Sequence, residues 1–269
     1  MTPFLARRER FASVGSTNDV VRAWLADGTA EVCLAVADEQ TAGRGREGRR
    51  WSAPPGAGLL ASLGFRPVWL SPSEVWQLGA VASLAMAEAA ETEAGLPAGR
   101  IRLKWPNDLV IASAADDGFR KVAGVLGETE GLGTSDPRVV IGLGLNADWA
   151  PADFPPDLAT TMTSLREASG AGVDLGRLLE RFLDRLEARI HALHGGRFDG
   201  LGWTVRQATT GRTVRLETPA GADDVRAIGV DVVTGALVVA APTSAGGERR
   251  VLAGEVRHVR LAKSTPAEV

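Results

Sequence analysis

The 269-residue chain has no tyrosine, one cysteine, three histidines and three lysines. Each shortage removes a class of explanation. A lone cysteine, Cys33, excludes an intramolecular disulfide, and its place in the apolar run Val32-Cys33-Leu34-Ala35-Val36 marks it as a buried structural thiol. His191 and His194 stand three apart on an expected helix, but no cysteine or third histidine lies near them, so they read as helix-end residues rather than metal ligands. No stretch reaches the roughly 18 apolar residues that a bilayer span requires, and the N-terminal MTPFLARRERF lacks an apolar signal core. The chain therefore reads as cytoplasmic, with no membrane partner. The formal net charge is −3, against the basic excess of a general nucleic-acid binder. Lysine occurs only at 104, 121 and 263, and arginine supplies nearly all other positive charge. A chain that fills ordinary surface-cation positions with arginine keeps its few lysines for places where their chemistry is needed.

What is present is enough for a core, since hydrophobic residues make up 45% of the chain. Ser16-Thr17-Asn18 followed by Asp19 to Leu25 reads as a capped short helix ending at Gly28. Residues 32–37 and 59–65 read as strands. Ser71-Pro72-Ser73-Glu74 carries an N-cap serine, a proline at the first helical position and a glutamate at the third, which predicts a helix from there to about Ala94. Ile101 to Trp105 reads as a strand. Leu109–Ala112 and Val122–Glu128 read as a hairpin turning through 114–118. Val139 to Leu145 is a further strand, and 149–160 a loop. Asp174 caps a helix with apolar residues at 175, 178, 179, 182, 186, 190 and 193, the helical period. From Gly211 the pattern changes to short strands, 213–216, 225–230, 236–240 and 249–252, split by glycine turns, as in a small β-barrel. The expected architecture is α/β (α+β), a mixed sheet flanked by helices over 1–208, followed by a small β-domain over 209–269. No helix-turn-helix pattern precedes Ser16, so no DNA partner is expected.

Four segments carry chemistry. Gly43-Arg44-Gly45-Arg46-Glu47-Gly48-Arg49-Arg50-Trp51 contains Gly-x-Gly-x-x-Gly, but a dinucleotide loop opens into a helix that holds the pyrophosphate. Here Ser52-Ala53-Pro54-Pro55-Gly56 follows, which starts no helix. Glycines let backbone wrap a ligand, and arginine forks suit phosphate and carboxylate oxygens. Four arginines in seven residues repel one another, so the loop reads as a lid that closes over an anion. A solvated basic loop or an RNA-binding patch is the plain alternative. Lys104-Trp105-Pro106-Asn107-Asp108 ends a strand with a lysine, an amide and a carboxylate. Lys121-Val122-Ala123-Gly124 begins another strand. Gly142-Leu143-Gly144-Leu145-Asn146 ends one, with glycines that admit a flat ligand and an amide that can read a purine edge. Taken singly, each of the last three also fits an ordinary strand end or turn.

Together and in this order, with Ser16-Thr17-Asn18 and Gln40-Thr41-Ala42 added, these segments resemble the biotin–protein ligase family over about residues 13–166. The resemblance implies a catalytic domain like that of class II synthetases and a C-terminal SH3-like barrel. It implies that biotin attacks ATP to give biotinyl-5'-AMP and pyrophosphate, and that a lysine of a biotin carboxyl carrier domain then takes the biotinyl group. It implies biotin and ATP as substrates with Mg²⁺, and a monomer or a homodimer. On the biotin side it places Ser16, Thr17, Asn18, Gln40, Gly43, Arg44, Gly45, Arg46, Trp51, Lys121 and Gly124. On the ATP and adenylate side it places Arg44, Arg46, Arg49, Trp51, Lys104, Asn107, Gly144 and Asn146. Lys121, Arg46 and Asp108 are the implied catalytic residues, with Asp108 orienting or helping to deprotonate the incoming amine. No protein ligand for the metal is implied. A lipoate–protein ligase shares the fold and the two-step logic, but the Gly-Arg-Gly-Arg loop points to biotin. A biotin-responsive repressor and a non-catalytic binding module are the alternatives from other classes.

Overall fold

The computed structural model describes residues 4–113, 118–219, 221–241 and 247–253, and the backbone of 258–261. Its centre is a seven-stranded sheet in the order β1-β2-β3-β7-β6-β5-β4. The strands are β1 (Arg7–Val14), β2 (Cys33–Gln40), β3 (Gly58–Phe65), β4 (Ile101–Lys104), β5 (Asp108–Ala112), β6 (Phe119–Glu130) and β7 (Arg138–Asn146). Only β1 and β2 run parallel; every other neighbour is antiparallel. Strand alternation sorts β2 between two apolar clusters, with Leu34 and Val36 in the larger one and Cys33 and Ala35 in the smaller.

The smaller cluster lies under α1 (Thr17–Ala26), which presents Val21, Trp24 and Leu25 to the sheet. Cys33 is fully buried there, and burial pushes its thiol pKa up to about 11, as expected of a structural cysteine. The larger cluster lies under α2 (Trp76–Glu93) and α4 (Leu175–His194). The buried face of α2 is rich in alanine, with Leu78, Val81, Leu84 and Met86 supplying its larger apolar groups. Asp174 caps α4 by accepting from Arg177 N at 3.0 Å. His191 and His194 occupy its last turn, with His194 stacked on Trp69 at 3.6 Å between ring centroids.

The short helices α3 (Leu165–Ser169) and α5 (Gly200–Val205) lead to a second, antiparallel sheet. It comprises β8 (Thr213–Thr218), β9 (Gly221–Val230), β10 (Leu237–Ala240), β11 (Glu248–Val251) and β12 (His258–Leu261), in the order β11-β10-β9-β8-β12. Val214, Leu216, Leu237, Val239 and Val251 belong to the same apolar cluster as the large sheet, and Trp105 Nε1 donates to Gly235 O at 2.9 Å across the junction.

Several elements differ from expectation, and the short helices α3 and α5 and strand β12 are additions to it. The Ser71 hydroxyl donates to the Glu74 carboxylate at 2.7 Å instead of capping a helix, and Glu74 N closes a turn on Ser71 O, so α2 starts only at Trp76. Strand β1 has no counterpart in the hydrophobic pattern. As a sheet edge it alternates half-buried and exposed positions, and charged residues serve it well because they discourage further pairing. Residues 114–117 of the expected hairpin turn lie outside the described residues.

Candidate active site

A cavity of about 860 Å³ opens on the α1 side of the large sheet, within the usual range for small-molecule sites. One end is neutral and polar. Ser16, Thr17 and Asn18 begin α1, and all three are buried. Ser16 stands at the N-cap without capping through its side chain; Gln40 Oε1 accepts instead from Thr17 N at 2.7 Å and from the Thr17 hydroxyl at 3.0 Å. Gln40 thus satisfies an orphan helix N–H from the end of β2. Behind them Ser62 of β3, fully buried, donates to Asn18 Oδ1 at 2.6 Å and lies 2.7 Å from the Thr17 hydroxyl. Ser62 looked like an ordinary residue of an apolar strand; only the pairing of β3 with β7, Ser62 opposite Gly142, puts it behind the cavity wall. A Cβ at Gly142 would collide with Asn18, so this position requires glycine.

The floor is made by β6 and β7. Gly124 and Gly144 face one another across the ladder, and the Trp51 indole lies against both. A Cβ at Gly144 would overlap that indole. Trp51 Nε1 is buried without a hydrogen-bond partner, and Lys121 Nζ sits 5.2 Å from the ring centroid.

The other end is charged. The sequence Lys104 to Asp108 folds back on itself through a turn with a cis Trp105–Pro106 peptide, so Lys104 of β4 pairs with Asp108 of β5. Lys121 reaches the same carboxylate because the β5–β6 ladder slips between Leu109 and Val110. Lys121 and Gly124 are three apart and would point to opposite faces of a regular strand; the bulge brings both to the cavity. Asp108 then accepts from Lys121 Nζ at 2.6 Å and from Lys104 Nζ at 3.1 Å. Burial acts to raise the Asp108 pKa, but Lys121 and Lys104 outweigh it and hold the carboxyl well below the ordinary carboxylate range. The side chain of Asn107 is turned onto β6, Nδ2 donating to Val125 O at 2.8 Å.

The arginine loop is folded as a small hairpin, with Trp51 N donating to Gly43 O at 2.9 Å, Gly45 N to Arg49 O at 2.7 Å, and a short 3-10 turn over Arg46–Gly48. Each arginine has a partner that offsets part of the repulsion expected within the loop. Arg44 forks onto Asp19 of α1 with two bonds of 2.7 Å. Arg46 donates to Ala253 O, beside the second sheet, at 2.6 Å, Arg49 to Arg46 O and Arg50 to Thr41 O. Burial pulls the Arg46 pKa down, with Arg49 adding to the effect while Glu47 and Asp108 oppose it.

Of the residues singled out from sequence, Ser16, Thr17, Asn18, Gln40, Arg44, Gly45, Arg46, Arg49, Trp51, Lys104, Asn107, Asp108, Lys121, Gly124 and Gly144 line this one cavity. Two do not. Gly43 closes the base of the loop against Trp51, where a Cβ would strike Trp51 O. Asn146 is buried outside the cavity lining and donates to Thr163 O at 3.1 Å, which anchors the 158–163 segment. Residues 149–160 are expected to be a plain loop, yet Leu158 and Thr160, with Thr161 and Met162 after them, close one side of the cavity because Lys121 N and O bond Thr161 O and Thr163 N. Phe119 and Val110 join them without any signal in the sequence beyond apolarity.

The model of the Biotin/lipoate A/B protein ligase family matches residues 11–146. The chain belongs to this family. It is 35% identical over 215 residues to the biotin–[acetyl-CoA-carboxylase] ligase of Mycobacterium tuberculosis, covering 79% of this chain and 75% of that protein. The enzyme of the same name from Paracoccus denitrificans is 36% identical over 197 residues, 72% of this chain and 76% of that one. Among solved structures, the biotin protein ligase from Aquifex aeolicus in complex with biotin and ATP superposes with a TM-score of 0.77 at 26% identity, covering 95% of this chain and 99% of that one.

Proposed function

We propose that the chain is a biotin–protein ligase, forming biotinyl-5'-AMP from biotin and ATP and passing the biotinyl group to a lysine of a biotin carboxyl carrier domain. The observation that carries this reading is the polarity of the cavity. One end offers neutral donors and acceptors, the buried Thr17 and Asn18 and the half-buried Gln40; the other offers Lys104 and Lys121. Biotin has a neutral cyclic urea at one end and a carboxylate at the other. The dithiolane ring of lipoate has nothing to hydrogen-bond, so it gains nothing from the polar groups of Asn18, Thr17 and Gln40 that a cyclic urea can use. The family membership admits both acids, and this end of the cavity favours biotin.

In this reading Lys121 sits between the biotin carboxylate and the α-phosphate, offsetting the repulsion of two anions and the charge that grows as they join. Asp108 fixes the Lys121 ammonium. Lys121 and Lys104 hold the Asp108 pKa below the ordinary carboxylate range, which favours orienting the incoming amine through an accepted hydrogen bond over taking its proton. Trp51 and the arginine loop cover the adenylate and exclude water. Among the described residues no cluster of three His, Cys, Asp or Glu side chains can hold a metal, and the only carboxylate found in the cavity lining, Asp108, is engaged by two lysines. The residues do not form a protein cage for Mg²⁺, which in this reading arrives as part of its ATP complex. No helix among the described residues is long and apolar enough to cross a membrane; we assign the enzyme to the cytoplasm, where ATP is available. Residues 1–208 form the substrate-binding unit, and the sheet beyond reaches it through the contact of Ala253 with Arg46.

Exchange of labelled pyrophosphate into ATP tests the first half-reaction without a carrier. Exchange that depends on biotin and does not occur with lipoate is expected. Lipoate-dependent exchange, or none with biotin, would overturn the assignment.

A further inference from the structure

An amide such as that of Asn18 can present its oxygen or its nitrogen in either direction, and the surroundings decide which. On one side Ser62 donates to Asn18 Oδ1 at 2.6 Å. On the other side Asn18 Nδ2 donates to Glu128 Oε2 at 2.7 Å. Glu128 lies near the end of β6 and is not among the residues lining the cavity. Its carboxylate can only accept, so it admits one orientation of the amide. The same carboxylate receives Arg22 Nη2 at 2.7 Å and Arg44 Nη2 at 3.5 Å. Arg44 and Arg22 both also bind Asp19, the residue after Asn18. Glu128 is therefore shared by the polar end of the cavity, the first turn of α1 and the arginine loop.

We propose that Glu128 is a positioning residue for recognition of the cyclic urea: it locks the polarity of the Asn18 amide. The proposal rests on the biotin reading above. A neutral group in its place can donate as well as accept, so the amide of Asn18 is free to turn over and meet the urea with the wrong partner. The loss falls on ring recognition; the phosphate end, formed by Lys104, Lys121 and Asp108, is untouched.

The test uses Glu128→Gln, which keeps the shape, in steady-state pyrophosphate release. Loss of one charge-assisted bond at a buried group predicts that KM for biotin rises at least about tenfold. The KM for ATP and kcat should stay within about twofold of the parent. The decisive arm repeats the substitution in an Asn18→Ala background. If Glu128 acts through the Asn18 amide, Glu128→Gln adds less than about twofold there, because the two substitutions remove one shared interaction. A merely structural Glu128 would give the same penalty in both backgrounds, accompanied by a matching rise in the KM for ATP. Glu128→Asp, which still only accepts, should recover part of the affinity, and it replaces Glu128→Gln in the same comparison if the latter does not fold. An unchanged KM for biotin in Glu128→Gln, or a full effect surviving in Asn18→Ala, overturns the proposal. A parent enzyme with no biotin-dependent release at all overturns instead the functional reading on which it rests.

Discussion

Replacing Asp108 by asparagine removes one charge from a triad and leaves two lysines facing a neutral amide. Lys121 Nζ lies 2.6 Å from one carboxylate oxygen and Lys104 Nζ 3.1 Å from the other. The Asp108 and Lys104 side chains retain 14% and 15% of their exposure and Lys121 26%. Breaking a buried pair by deleting one partner costs about 3–5 kcal/mol. Residual solvent at the lysines screens part of that, so D108N should lose about 2–4 kcal/mol in a urea titration at pH 7 followed by tryptophan fluorescence. Removing Lys104 as well, as D108N/K104M, leaves one ammonium that can turn to solvent and should regain at least about 1 kcal/mol of the loss. The pH dependence has a definite sign. The folded-state pKa of Asp108 is depressed, so its contribution is complete above the unfolded value of about 3.9 and disappears as the pH falls from there toward the folded value. The gap between parent and D108N should therefore be constant from pH 7 to about pH 5 and narrow below about pH 4. A loss under about 0.5 kcal/mol, or a gap that widens in acid, would refute the triad as described.

Other substitutions probe the remaining parts of the site. Lys121→Ala should slow adenylate formation by more than about 100-fold in pyrophosphate exchange, the effect of losing one donor to the developing charge; near-normal exchange would sink its assigned role. Arg46→Gly should let biotinyl-5'-AMP escape and label bystander proteins, and retention of the intermediate at the parent level would contradict the lid. Gly144→Ala drives a methyl into the Trp51 indole and should cost about 1–3 kcal/mol, with a changed tryptophan emission; an unperturbed emission spectrum and stability would show that the indole does not rest there. Cys33, fully buried with its thiol pKa pushed up to about 11, should resist iodoacetamide at pH 8 until the chain is unfolded. Rapid labelling of the native protein would contradict its burial.

The large sheet was readable where strands are apolar on both faces, as in β2 and β3, and the long helix α4 was readable from its period and its aspartate cap. Strand β1 was not, because an edge strand with Arg7, Arg8, Glu9 and Arg10 carries no apolar run. Within the site, the motif residues were visible as residue types, but their convergence was not. Lys121 and Gly124 share a face only because of the bulge against β5, which no spacing rule signals. Asn146 is a different case: an amide after a glycine-rich strand suggests base reading, and in the fold it also donates to Thr163 O. Ser62 and Glu128 were overlooked for a common reason. Their significance lies in partners 44 and 110 residues away, Asn18 in both cases, and local pattern carries no trace of such pairs. The acidic partner of Arg44, Asp19, sits on α1, outside the loop segment, so the loop's own sequence does not show it.

The central claim is a two-step transfer of biotin to a protein lysine. It is tested most directly by mixing the protein with biotin, ATP, Mg²⁺ and a biotin carboxyl carrier domain, and reading the carrier by mass spectrometry. The account predicts a single biotinyl group on one lysine, formed only with ATP and accompanied by AMP and pyrophosphate. A carrier that stays unmodified while the protein is folded and binds both substrates, or one that accepts lipoate in place of biotin, would contradict it.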